Sequence, residues 1–458
     1  MKIIVIGDII LDINYYVNTK KKAQEADIPI YNVYDNIYIL GGAGNVIKNL
    51  KNLDNEIDIE IISIIGNDIY GNKIKELLDN NNIKHKIIID NDRITTQKYR
   101  LIHNDNIINR FDIENTNDIN KNIEDDIYNY IINKNNIDCI IISDYNKGII
   151  TNDLCINIIN YCNKNKIYSF VDPKINNINK YKNCFCIKPN LNEGINIANT
   201  DDINNILYYI SDNLNIKNIL LTCSEKGMYL YEKNTISYIY EKYNFENKDV
   251  TGAGDIVLSV LVYYYLKTKD LFKSSQISNF IANKSISYIG NYNIKKDDII
   301  YYELKKNNVL YENEINKINC IKNNYNNIVF TNGCFDVFHL GHLKLLNYCK
   351  NKGDVLIVGL NSDDSIKKNK GNTRPINNII NRIEFLKNLN IIDYIIIFDN
   401  ISPLSLLKIL KPKILIKGGD YKRDNIIGKE HVEEILIFNY INDISSTKII
   451  NIIKNDNN

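Results

Sequence analysis

Tryptophan is absent from this 458-residue chain, and methionine, histidine and proline occur only two, five and six times. With heavy use of Ile, Asn and Lys, these scarcities are the codon signature of an AT-rich genome, so the asparagine content does not by itself mark disorder or a prion-like segment. Neither charge sign is in excess: 56 Lys+Arg against 55 Asp+Glu leave +1, which excludes nucleic-acid or anionic-membrane binding driven by bulk charge. Long apolar runs are also missing. The stretch 256–266 falls well short of the roughly 20 residues a membrane-crossing helix needs, and Asp8 interrupts the apolar N-terminus, so neither a span nor a signal peptide is expected. Nine cysteines, an odd number, run from Cys139 to Cys349 without C-x-x-C spacing; only Cys184 and Cys186 lie close together. Reduced thiols in a cytoplasm are the expectation.

What is present describes a soluble globular chain of two domains. Hydrophobic residues make up 44% and charged residues 24%, and the length exceeds the ~250–300 residues at which single cores stop growing. Lys2–Gly7 (KIIVIG) has the look of a buried parallel strand that delivers Asp8 at its end. Similar runs end at Asp144, Asp172, Pro189-Asn190 and Cys223-Ser224, separated by segments with helical apolar spacing such as 154–165. Strands alternating with helices predict a parallel α/β sheet with ligands at its carboxyl edge. Segments 28–40 and 94–112 break this rhythm and predict a small antiparallel β lid. From 290 to 327 the chain turns polar and Asn/Lys-rich, after which a second α/β series begins with runs at 328–331, 354–360, 394–398 and 414–417. The expected division is 1–306, a linker over 307–325, and 326–458.

The strongest motif is Asn332-Gly-Cys-Phe-Asp-Val-Phe-His339-Leu-Gly-His342, placed between a strand and a helical pattern. Two of the five histidines flank one Leu-Gly, so both imidazoles can meet one ligand at a helix start, where backbone N–H groups favour phosphate. Cation-capable imidazoles there suit charge building on an α-phosphate while pyrophosphate leaves. Lys344, Arg374, Lys417-Gly-Gly-Asp420 and Ser445-Ser446-Thr447 follow in order. That order resembles the nucleotidyltransferase superfamily with the HxGH signature. The resemblance implies catalytic roles for His339 and His342, and nucleotide binding by Gly333, Phe335, Lys344, Asn361, Asp363, Arg374, Lys417, Gly418, Asp420, Ser445, Ser446 and Thr447. Many members carry a basic residue beyond the last motif; here Lys448 follows Thr447 directly and no arginine lies further on.

The second motif is Asp249-Val-Thr-Gly252-Ala253-Gly254-Asp255, before a long apolar helical pattern. It lacks the third glycine of a dinucleotide fingerprint. Two glycines at a helix start let successive N–H groups close on an anionic oxygen, and Asp255 is poised to take a hydroxyl proton; a plain capping aspartate is the competing reading. Gly7-Asp8-Ile-Ile-Leu-Asp12 and Gly41-Gly42-Ala-Gly-Asn45 suit dense hydrogen bonding to sugar hydroxyls, and Asn190-Leu191-Asn192-Glu193 has the spacing to hold Mg²⁺ through water near phosphates. Together these resemble the ribokinase-like sugar kinases. That resemblance implies Asp255 as base, Gly252, Ala253 and Gly254 as anion hole, Asn190 to Glu193 and Ser224 at ATP, and Asp8, Asp12, Gly41, Gly42, Asn45, Arg100 and Lys174 at the sugar. Arg110 is a second candidate for a sugar phosphate, and either arginine could equally be a surface residue.

Across nearly the whole chain the motif order resembles the bacterial bifunctional heptose 7-phosphate kinases / heptose 1-phosphate adenylyltransferases. This implies a ribokinase-like α/β/α domain followed by a Rossmann-like α/β nucleotidyltransferase domain. It also implies Mg²⁺ with ATP as co-substrate, no direct protein metal ligands, a cytoplasmic homo-oligomer such as a dimer, and a place in lipopolysaccharide core synthesis. Neither a nucleic-acid nor a membrane partner is expected. Two alternatives stand beside it: another phosphosugar kinase fused to a cytidylyltransferase-like domain, and a decayed, non-catalytic nucleotide-binding scaffold.

Overall fold

The computed structural model describes residues 1–25, 28–104, 106–240, 250–288, 292–419 and 426–439. The chain divides into two compact units, 1–296 and 297–458.

In the first unit the strands are β1 (Lys2–Gly7), β2 (Ile9–Lys22), β3 (Pro29–Gly42), β4 (Asp58–Gly66), β5 (Lys84–Asp90), β6 (Gln97–His103), β7 (Asn106–Ile113), β8 (Cys139–Ser143), β9 (Tyr168–Asp172), β10 (Cys186–Ile187), β11 (Asn218–Thr222), β12 (Met228–Glu232) and β13 (Thr235–Ile239). Nine of them form one sheet in the order β13-β12-β11-β10-β9-β8-β1-β4-β5. It is parallel except for β12 and β13 at one edge. Strands covered by helices on both faces need apolar residues at every position, which is why Ile3 to Ile6 and Ile140 to Ile142 are fully buried. Their carboxyl ends bring Asp8, Asp144, Asp172 and Asn190 to one edge.

A second, four-stranded sheet has the order β3-β2-β6-β7. The lid expected to be antiparallel is so in its β2–β3 and β6–β7 pairs, but the central β2–β6 pair is parallel, because two separate excursions of the chain meet there. The contribution of residues 9–22 was not legible in the sequence. Gly41 is required at its position by close approach, since a Cβ there would lie 2.3 Å from Asp12 Oδ2. Asparagine serves the turns: ten of the sixteen non-glycine residues with positive φ among the described residues are Asn, the residue that tolerates the left-handed region best after glycine.

The second unit holds β14 (Val309–Tyr311), β15 (Ile328–Gly333), β16 (Val355–Asn361), β17 (Tyr394–Phe398), β18 (Ile414–Gly418) and β19 (Glu434–Phe438) in an all-parallel sheet ordered β14-β17-β16-β15-β18-β19. The chain leaves β15 toward β16 on one side and returns to β18 on the other, so the order reverses beside β15, the place where such sheets bind ligands. The stretch 307–325 is not a linker. It supplies β14 and the helix Ile315–Asn324, and Leu310, Ile318, Cys320 and Ile321 are buried in the same core as Phe330 and Ile357. Leu304 joins that core as well, so the unit boundary falls about ten residues earlier than expected. Codon bias toward Asn and Lys had diluted the amphipathic pattern of this stretch.

If 307–325 is integral, Leu310→Ala should lower the stability of the second domain by about 2–5 kcal/mol, the cost of truncating a buried leucine. A linker position would change it by no more than ~0.5 kcal/mol. Scanning calorimetry of the full chain distinguishes the two.

Candidate active sites

Asp255 lies in the first turn of the helix Ala253–Thr268, which opens at Gly252 in the left-handed conformation (φ 75°) with no side-chain cap. The carboxyl is buried and both oxygens are engaged. Asn45 Nδ2 donates to Oδ2 at 2.8 Å and the Tyr145 hydroxyl donates to Oδ1 at 2.6 Å. Burial pushes its pKa up to about 6; the two donors and the Lys188 ammonium act against that rise, while the Asp172 carboxylate adds to it. A carboxylate of this basicity, ionised at neutral pH yet ready to take a proton, matches a general base.

The surrounding residues divide into those brought to Asp255 and those given other tasks. Asn45 is on the base itself. Gly254 stays open, for a Cβ there would meet only Lys188 Nζ, at 3.7 Å. The Ala253 N–H instead donates to Val250 O at 3.3 Å and closes the turn. Asp8 differs from expectation: Oδ2 accepts the backbone N–H groups of Tyr145 (2.8 Å) and Lys147 (3.1 Å), and Oδ1 accepts that of Ile149 (3.3 Å), so the carboxylate clamps a loop instead of facing a sugar. Asp12 and Arg100, both assigned to the sugar, pair with each other at 2.7 Å. Gly42 is the left-handed N-cap of the helix Ala43–Leu53.

Asn190 and Glu193 form a reciprocal capping box on the helix Leu191–Ala198, each side chain bonding the other's backbone N–H at 2.9 Å. Lys174 donates to the second Glu193 oxygen at 2.7 Å, which links the sugar-side lysine to the proposed phosphate side. Leu191 packs on the core, Asn192 is exposed, and Ser224 sits in the turn between β11 and β12 with φ 50°. Three residues at this edge went unassigned in the sequence: Tyr145, Asp172, and Lys188, whose ammonium lies 3.0 Å from Asp172. The signal available was position alone, Tyr145 and Asp172 after strand ends and Lys188 before Pro189-Asn190.

In the second unit His339 is the N-cap of the helix Leu340–Lys350, and its ring stacks on that of His342 with centroids 3.9 Å apart. Phe335 and Phe338 flank His342 at 5.1 and 5.3 Å. Phe335 holds φ 46°, a strained value at the centre of the motif, and packs on Gly333. Contrary to the cationic pair expected, burial, His339 and the Lys370 ammonium pull His342 down to about 4, and burial lowers His339. Both rings are therefore neutral at pH 7 in the unliganded site. Each Nδ1 is buried without a partner among the described residues, as is Arg374 Nη2, so three polar atoms await a ligand.

Other predicted contacts are committed to holding this site together. Arg374 Nε pairs with buried Asp336 at 2.5 Å, and Asp336 also accepts the N–H groups of Ile376 and Asn377 at 2.8 Å. Asp363 pairs with Arg382 at 2.6 Å. Arg382, which the sequence did not single out, is almost completely buried and also donates to the carbonyls of Cys334, Asn361 and Asn377. The Asn361 amide donates to Ser365 Oγ, and Lys417 bonds Asn332 Oδ1. Lys344 is half-buried on the same helix as His342, and Gly418 ends β18. Asp420, Ser445, Ser446 and Thr447 lie outside the described residues. So does Asp249 of the kinase motif.

Residues 1–298 match the model of the pfkB family carbohydrate kinases, and residues 330–452 that of cytidylyltransferase-like domains. The chain is 35% identical over 470 residues to the Bifunctional protein HldE of Aliarcobacter butzleri, covering 98% of this chain and 96% of that one. It is 33% identical to HldE of Sulfurimonas denitrificans, covering 99% and 98%. The chain belongs to the HldE family. It is thus a carbohydrate kinase joined to a nucleotidyltransferase, and the full-length likeness does not favour the rival fusion or the scaffold. Structural likeness places the first unit among ribokinase-like folds. Phosphofructokinase-2 from Escherichia coli superposes with a TM-score of 0.55 at 13% identity over 65% of this chain and 97% of its own. Ribokinase from Giardia lamblia gives 0.53 at 14% over 66% and 99%. Among the described residues no helix is long and apolar enough to cross a membrane.

Tyr145→Phe removes a donor that favours the ionised form of Asp255, so the acid limb of the kinase pH–rate profile should move upward from about 6. The loss should be largest between roughly pH 6 and 7 and shrink at pH 8 as the base ionises. A uniform loss at every pH would count against this positioning role.

Proposed function

We propose that the first domain transfers the γ-phosphate of Mg·ATP to O1 of D-glycero-β-D-manno-heptose 7-phosphate. On this reading the second transfers the adenylyl group of ATP to O1-phosphorylated heptose, giving ADP-heptose and pyrophosphate. The observation that carries the kinase half is Asp255: a buried base with pKa about 6, fixed by Asn45 and Tyr145 at a glycine turn that Lys188 adjoins. The anomeric hydroxyl gives its proton to Asp255 as its oxygen attacks the γ-phosphorus, and ADP leaves. Gly254 and Lys188 face the charge that develops on the transferring group. Asp172, Asn190 and Glu193 gather hard oxygen donors at the ends of β9 and β10, and the Asp172 carboxyl feels Glu193, so they fit a Mg²⁺ held through water. When bound, such an ion neutralises the triphosphate.

A phosphatase acting between the two steps removes the 7-phosphate, so each domain works on its own substrate. In the second, neutral His339 and His342 donate hydrogen bonds to the nucleotide phosphates, and Arg374 Nη2 joins them while Asp336 holds its Nε. The 1-phosphate attacks the α-phosphorus and pyrophosphate departs. ATP in place of CTP, a cytoplasmic setting and a homo-oligomeric state rest on the family resemblance, which also supports a role in supplying the lipopolysaccharide core.

Purified chain with Mg·ATP and, separately, heptose 7-phosphate or heptose 1-phosphate tests both halves by mass spectrometry, with CTP as comparison. Asp255→Asn should reduce bisphosphate formation by roughly 10²–10⁴-fold and spare ADP-heptose synthesis. His342→Ala should do the reverse, by about 10²–10³-fold. Loss of both activities in either folded variant would refute independent sites.

A further inference from the structure

The accessory sheet has two chemically different faces. Directly paired residues share a face, and the register sets Asp12 beside Lys98, Lys98 beside Asp112, Asn14 beside Arg100, and Arg100 beside Arg110. These six form one charged patch, whereas the alternate positions place Tyr15, Tyr99 and Phe111 in a ring stack on the opposite face. The charged face is the one near the kinase base: Lys98 Nζ lies 5.8 Å from the ring centroid of Tyr145, whose hydroxyl is on Asp255.

The ion pairs on and beside this face leave one cation over. Arg100 is held by Asp12, Arg110 by Asp112 in a two-bond fork, and Lys147 by Glu114. Lys174, also 5.8 Å from the Tyr145 ring, is held by Glu193. Among the described residues Lys98 has no carboxylate partner. It is half-buried; burial, Arg110 and Lys147 disfavour its charge, while Asp12 and Asp112 support it. One strand away, Asn14 is 8% exposed and its Oδ1 has no donor. A buried acceptor lacking a donor and an ammonium lacking an anion call for one ligand with both a hydroxyl and a negative charge. Tyr145 sets the spacing, because its hydroxyl marks the base and its ring marks Lys98. The anionic group therefore sits at the far end of the acceptor from the hydroxyl that reacts.

We propose that Lys98 receives the phosphate of the acceptor sugar, with the Asn14 carbonyl accepting a hydroxyl of the same molecule. The proposal deepens the kinase reading above and rests on it. It also distinguishes Lys98 from Arg100 and Arg110, whose guanidinium groups are already matched by carboxylates.

The test compares wild type, Lys98→Met and Lys98→Arg in steady-state kinase assays with heptose 7-phosphate against heptose, and with fructose 6-phosphate against fructose. Lys98→Met should raise the KM for the phosphorylated acceptor by on the order of 10- to 100-fold, the worth of a charge-assisted hydrogen bond, and Lys98→Arg should restore most of it. The KM for ATP and for the unphosphorylated sugar should stay within about twofold. An equal loss on phosphorylated and unphosphorylated acceptors, or no change in either, overturns the subsite. Wild type that phosphorylates fructose 6-phosphate but not heptose 7-phosphate, with the preference for phosphate lost in Lys98→Met, would overturn the heptose reading and keep the subsite. Folded wild type that acts on neither phosphosugar overturns both.

Discussion

The kinase site depends on a buried aspartate that never meets the substrate in this arrangement. Asp8 leaves the end of β1 and accepts three backbone N–H groups from the loop after β8, fixing that loop against the sheet edge. The loop delivers Tyr145, Tyr145 bonds Asp255, and Asn45 closes on the other carboxylate oxygen from the helix that follows β3. Three segments distant in sequence thereby converge on one proton acceptor. Asp8 and Asp255 both have pKa values raised to about 6, mainly by burial. An aspartate so raised is bound to its proton more tightly in the fold than in the unfolded chain. Its stabilisation is thus greatest in acid, is lost as pH rises from about 4 to about 6, and stays lost at neutrality. The base is available at neutral pH at some expense of stability.

The second domain solves a comparable problem with buried arginine. Arg382 gathers carbonyls from the Cys334, Asn361 and Asn377 segments and the carboxylate of Asp363, while Asp336 takes Arg374 and two backbone N–H groups. A guanidinium with five donors can satisfy several loop ends at once, which a lysine cannot. These clamps leave the two imidazoles and Arg374 Nη2 with buried, unpartnered atoms aimed at a ligand. Removing water from those atoms in advance leaves less reorganisation for the moment of reaction.

Much of the fold was legible because parallel strands buried on both faces read as unbroken apolar runs ending in Gly-Asp or Pro-Asn. Asp255, His339 and His342 were legible for a related reason, since each is defined by neighbours within four residues at a helix start. The stretch 307–325 was misread because Asn and Lys occupy the solvent side of its elements so uniformly that Leu310 and Ile318 did not stand out. The roles of Asp8, Asp363 and Arg374 were misread differently. Their residue types suited ligand binding, but the partners that claim them lie 19 to 141 residues away.

The sequence by itself determined the local chemistry: strands that end in carboxylates, helices that open on glycine or histidine, and the order of motifs along two α/β domains. Those features depend on spacings of a few residues, which covalent geometry and helical periodicity enforce. Tertiary structure alone decided which carboxylate is a base and which is a clamp, that the paired histidines are neutral, and that Lys98 lacks the partner its neighbouring arginines have. Protonation and pairing follow from desolvation and from charges a few ångströms apart in space, and neither quantity exists until distant segments have packed together.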